Sequence, residues 1–142
     1  MKTSIAFFAA AVLGASALAQ AHTHLKEAQP ADGSVLNAPP ANIVLKFSEA
    51  ARLTTLTLQK DSGPEEKLSP LPTAAAAEAS VPAGKLAPGK YVVSYRVVSD
   101  DNHIMSGKIH FTVDPSATPS AGKAPAHDHE HEHEHEHEHE KH

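Results

Sequence analysis

Twelve histidines stand in this 142-residue chain and no cysteine does, so its metal-binding chemistry is that of imidazole, carboxylate and amine, not thiolate. His22 and His24 follow directly on MKTSIAFFAAAVLGASALAQA. Lys2, the apolar Ile5 to Leu18 run and the small-x-small Ala19-Gln20-Ala21 make that stretch, residues 1–21, a secretory signal peptide. The apolar run is too short to span a membrane and no stop-transfer segment follows it. Cleavage after Ala21 makes His22 the first residue of the mature chain. Cleavage after Ala19 also fits the rule and leaves two residues ahead of it. A terminal histidine presents its free amine and its imidazole together, so one residue can chelate a metal ion.

Further metal-capable groups lie along the chain. Ser99-Asp100-Asp101-Asn102-His103 falls between two strongly patterned strands, in a loop that a ligand can approach. Asp and Asn in such a place also simply make turns. His110 alternates with Ile109, Phe111 and Val113, which places it outward with Lys108 and Thr112 as a solvated strand histidine. Eight more histidines, His127, His129, His131, His133, His135, His137, His139 and His142, close the chain among glutamates. Imidazoles of ordinary pKa, about 6.5, are mostly neutral at pH 7 and competent as ligands. The tract is expected to hold several divalent ions weakly, Cu, Zn and Ni among them. The alternative reading is a tag or a solvated acidic tail without a role.

The elements that must position these groups read as strands. Ile43, Leu45 and Phe47 alternate with polar or outward positions, as do Leu56 and Leu58. Tyr91, Val93, Tyr95 and Val97 make a third period-two run, and Ile109, Phe111 and Val113 a fourth. Turn signals separate them at Pro30-Ala31-Asp32-Gly33, Pro39-Pro40, Asp61-Ser62-Gly63-Pro64 and Pro88-Gly89. No segment carries a convincing helical period. Ala74 to Ala79 reads as a loop or a single helical turn leading into a strand near Glu78 to Val81. The pattern predicts an all-β domain over 22–114, a β-sandwich or small Greek-key barrel. Residues 115–126, rich in Pro, Ser, Ala and Gly, read as a flexible linker, and 127–142 as a disordered tail.

Charge narrows the partners. The chain's net charge is −5, and the excess lies almost wholly beyond Ser120, where seven acids face two lysines. The domain itself is nearly neutral and offers no basic patch for nucleic acid. Without disulfides its stability must come from packed strands.

PADGSVLNAPPANIVLKFSE and LAPGKYVVSYRVVSDDNHIMSGKIHFTV, with a histidine at the mature N-terminus ahead of both, resemble the CopC family of periplasmic copper-binding and copper-resistance proteins. The similarity runs from His22 to Val113. It implies an immunoglobulin-like Greek-key β-sandwich or barrel of about seven short strands, with one Cu(II) ion at one end. It also implies the ligands: His22 through amine and imidazole, Asp101 and His103. Asp100 is the nearest competitor to Asp101. His24 either joins the site, hydrogen-bonds beside it, or forms an amine-and-imidazole chelate of its own. Some members carry a methionine-rich Cu(I) site, and this chain departs from that pattern. Beyond Met1 it has only Met105, and thioethers are what select Cu(I). Met105 reads as a gap-filler.

The resemblance implies a non-catalytic, periplasmic protein that sequesters or carries Cu(II) in copper tolerance or uptake. An inner-membrane copper transporter is the partner it implies, and the chain is not membrane-spanning after cleavage. Two other classes stay open. One is a copper-dependent oxidative enzyme of the N-terminal-histidine, polysaccharide monooxygenase type. Two tyrosines and no tryptophan make a poor sugar platform. The other is a zinc or nickel buffer acting through the tail.

Overall fold

The computed structural model describes residues 22–123. The expected signal peptide, residues 124–126 of the linker and the histidines from His127 to His142 lie outside the described residues. Seven strands succeed one another: β1 (Leu25–Gln29), β2 (Ser34–Leu36), β3 (Asn42–Lys60), β4 (Glu65–Lys67), β5 (Ala76–Pro82), β6 (Gly89–Ser99) and β7 (Ile104–Val113). The all-β expectation holds, and among the described residues no helix is long and apolar enough to cross a membrane.

β3 organises the sandwich. Its first half pairs with β1 on one edge and β5 on the other; its second half pairs with β6 and β4. β6 continues to β7, and β7 pairs in parallel with β2. The two alternating runs read from sequence are therefore one strand shared by two layers. Ile43, Leu45, Phe47, Ala51 and Leu53 bury odd-numbered positions, while Leu56 and Leu58 bury even ones. The pairing with β6 slips between Leu53 and Thr55. An extra residue there returns the apolar set to the core side, because a one-residue shift exchanges the faces of a strand.

The core fills with Ile43, Leu45, Leu56, Val81, Val93, Val97, Ile109, Phe111 and Val113, all almost fully buried. Each large aliphatic or aromatic side chain so buried contributes about 1.5–3 kcal/mol. Tyr91 stacks on Phe111 with ring centroids 5.2 Å apart, and Phe47 meets Tyr95 edge-on at 6.1 Å. The alanine-rich segment is strand from Ala76 onward. Its backbone is tied to β3, and Ala79 and Val81 face the core. Pairing with a neighbour overrides the weak helical preference of a short alanine run.

β2 is not left as a bare edge. Val35 and Ser120 exchange backbone hydrogen bonds of 3.1 and 3.0 Å, and Lys123 N donates to Asp32 O at 2.7 Å. Part of the linker thus runs antiparallel along β2.

Candidate metal centre

The turn between β6 and β7 is compact. Asn102 N donates to Ser99 O and Ser99 N to His103 O, each at 3.0 Å. Asn102 takes a left-handed conformation, φ 62°. A three-residue hairpin loop needs one such residue at its end, and asparagine tolerates it. The turn therefore fixes where Asp101 and His103 sit, and both side chains stay largely exposed, at 60% and 69%.

His103 Nδ1 lies 2.6 Å from Asp101 Oδ2. An ionised carboxylate can only accept, so Nδ1 donates to Asp101. The Ser99 hydroxyl hydrogen-bonds Asp101 Oδ1 and lies 3.2 Å from the His103 carbonyl. That hydroxyl, and then His103, hold the Asp101 carboxyl below the usual carboxylate range. Asp100 makes no such contact with His103; it is an exposed turn residue. Ser99, buried at the end of β6, had no signal of its own in the sequence. The turn gives it this role, bringing its hydroxyl to the Asp101 carboxylate and the His103 carbonyl.

The N-terminal segment approaches from the same edge. Ser48 N donates to His24 O at 2.8 Å, and His24 N donates to Ser48 Oγ at 3.0 Å. Thr23 is buried, with its hydroxyl 3.4 Å from Glu49 Oε2. His22 and His24 are both exposed, and His24 Nδ1 lies 3.2 Å from the His22 carbonyl. Residues 44–46 pair with β1 on one side and β5 on the other, and Ala51 pairs with β5 and β6. β1 and β6 therefore occupy one edge of β3. His24 stands opposite Ser48 and Ser99 opposite Ala51, so the segment carrying His22 and the turn carrying His103 lie along the same edge of β3.

Among the described residues no three His, Asp or Glu side chains converge tightly enough to hold a metal. Asp101 and His103 are brought together; His22 is not in contact with them. In the full-length chain the His22 nitrogen is in a peptide bond with Ala21, so its chelating amine exists only after cleavage. His110 is outward on β7 as expected, with Nδ1 3.2 Å from Asp32 Oδ1.

The family model of the CopC domain matches residues 25–114. This chain belongs to the CopC family. It is 37% identical over 119 residues to Copper resistance protein C of Pseudomonas syringae pv. tomato, covering 77% of this chain and 93% of that protein. Among solved structures it resembles CopC from Methylosinus trichosporium OB3b, with a TM-score of 0.57 and 29% identity, over 68% of this chain and 98% of that one. It also resembles PcoC, described as a methionine-rich copper resistance protein from Escherichia coli, with a TM-score of 0.50 and 33% identity, over 66% and 100% of the two chains. This CopC-family chain has two methionines in all.

Proposed function

We propose that this chain is an exported, non-catalytic copper-binding protein that sequesters or carries one Cu(II) ion. The ligands are the amine and imidazole of His22, the Asp101 carboxylate and the His103 imidazole. Copper handling is supported by family membership, and by relatives named for copper resistance. The observation that carries the site is the 2.6 Å contact between Asp101 and His103. Two adjacent donors about 2.0 Å from one ion stand about 2.8 Å apart, so a metal taking the place of the shared proton meets both at once. Nitrogen and carboxylate donors in a tetragonal set suit Cu(II), which heads the affinity order for such ligands. Binding releases protons and weakens in acid.

The periplasm is its working compartment, reached through the signal peptide, and an inner-membrane copper transporter is its fitting partner. The His/Glu tail acts as an accessory buffer for Cu, Zn or Ni. The scarcity of methionine argues against a Cu(I) site of the thioether kind.

The test is a Cu(II) titration of the chain beginning at His22, in competition with a chelator strong enough to strip the tail, beside His103→Ala. One tight equivalent in the parent, weakened at least a hundredfold in the variant, is expected. Equal affinity in the two would overturn the site.

A further inference from the structure

β7 is covered along only part of its outer side. His110 N donates to Asp32 Oδ1 at 2.7 Å and His110 O accepts from Gly33 N at 2.6 Å, so both backbone groups of His110 face away from β6. β6 and β7 pair without a register shift between them. Successive residues of an antiparallel strand face opposite neighbours, so Ile104, Ser106 and Lys108 also turn their N–H and C=O groups outward. β2 pairs only with Phe111, Thr112 and Val113. The outward groups of Ile104, Ser106 and Lys108 have no hydrogen-bond partner among the described residues. Asp32 ends this open stretch at His110, and the β6–β7 turn ends it at His103.

An open sheet edge is a template for another strand, and charge, proline or shortness guards against that. The other end strands carry such guards. β1 holds Lys26 and Glu27 and runs into Pro30, β5 holds Glu78 and ends at Pro82, and β4 is three charged residues. Residues 104–108 read Ile-Met-Ser-Gly-Lys, with a single charge. Ile104 is 66% exposed, and no other large hydrophobic side chain is so placed among the described residues. Tyr95 reaches this edge by lying over Gly107, where a Cβ would overlap its ring.

We propose that residues 104–108 are the contact through which two copies of this chain pair, antiparallel, about a two-fold axis at Ser106. The edge is complementary to itself in that register. Ser106 faces the partner's Ser106, Ile104 faces the partner's Lys108, and Met105 faces the partner's Gly107 beside the partner's Tyr95. No like charges meet, and the lysine stem lies along the isoleucine. Three residues, each with an N–H and a C=O, close six backbone hydrogen bonds across the axis. An axis at Met105 or Gly107 closes only four, because the turn or Asp32 removes the end pairs. An axis at Lys108 sets two lysines face to face, which is unfavourable. The two-fold pair is closed, so association on this edge stops at the dimer.

The chain beginning at His22 is followed by sedimentation equilibrium and by 15N amide exchange, with a chelator present so that no metal bridges two copies. A contact this small makes a transient dimer, with a dissociation constant at or below about 1 mM. The amides of Ile104, Ser106 and Lys108 should exchange more slowly as the chain is concentrated. Ser106→Pro removes an N–H that the single chain does not use and should weaken dimerisation at least about tenfold, with the dispersed amide spectrum retained. Ile104→Lys sets a lysine against the partner's Lys108 twice per dimer and should weaken it similarly; adding Lys108→Glu to that variant should restore association. A chain that stays monomeric up to about 1 mM would overturn the proposal. So would dimers that neither single variant weakens, or a rescue that fails. If the three amides are protected at every concentration in a monomer, another segment of the same chain occupies the edge and the dimer is wrong.

Discussion

At the scale of single residues, the candidate copper centre depends on groups of ordinary chemistry placed unusually. His22 supplies two donors only when nothing precedes it. Adding one alanine ahead of His22 should therefore weaken Cu(II) binding by orders of magnitude while leaving the fold intact. Chelator competition together with a thermal melt checks it, and an unchanged affinity would remove the amine from the ligand set. The candidates His22, Asp101 and His103 came from the family resemblance, since by residue type alone an Asp and a His in a loop read as readily as a turn. The resemblance favoured Asp101 over Asp100, which is adjacent and chemically alike, and the turn puts Asp101 beside His103. Ser99 was not legible at all, because a serine at a strand end is everywhere in β proteins.

At the scale of elements, the β6–β7 turn sets the spacing of Asp101 and His103. Its one demanding position is Asn102, at φ 62°. Asn102→Gly should be nearly neutral. Asn102→Val should cost about 1–2 kcal/mol and loosen copper binding, because the branched side chain opposes the left-handed conformation. Equal melting temperatures for the two variants would show that the turn does not need that conformation. Period-two patterning found the long strands β3, β6 and β7. It missed β1 and β2, which are short and carry few apolar residues. It also read a loop where Ala76 begins a strand, since alanine has no β preference and only pairing with β3 makes it one.

For the whole molecule, the described part is a disulfide-free sandwich whose exposed carboxylates are held by neighbours. Asp61 accepts from the Lys90 backbone and pairs with Lys60, Asp114 accepts from Ser116, and Glu27 accepts from Lys46; all three carboxyls lie below the usual range. A carboxyl lowered on folding stabilises above its unfolded pKa, and the contribution is lost as pH falls through its folded value. The metal-free domain should therefore keep a constant melting temperature from pH 7 down to about 5 and lose stability below about 4. A melting temperature that rises on acidification to pH 3 would contradict these contacts. Each group is exposed, so the individual effects are small and the fall should be gradual.

The sequence alone determined the fold class, because alternating apolar residues can bury a face only as strands, and it determined the family, because the matching motifs run in order along the domain. It also supplied the donor types, which follow from having histidine and carboxylate but no cysteine. Only the tertiary structure decided which donors become neighbours. One edge of β3 carries both the segment of His22 and the turn of His103, though they are some eighty residues apart in sequence. A single glycine, Gly122, lets the segment from Ser120 to Lys123 lie against Asp32, beside His110. Such meetings are set by register and close backbone approach across distant segments, and local patterning carries no record of them.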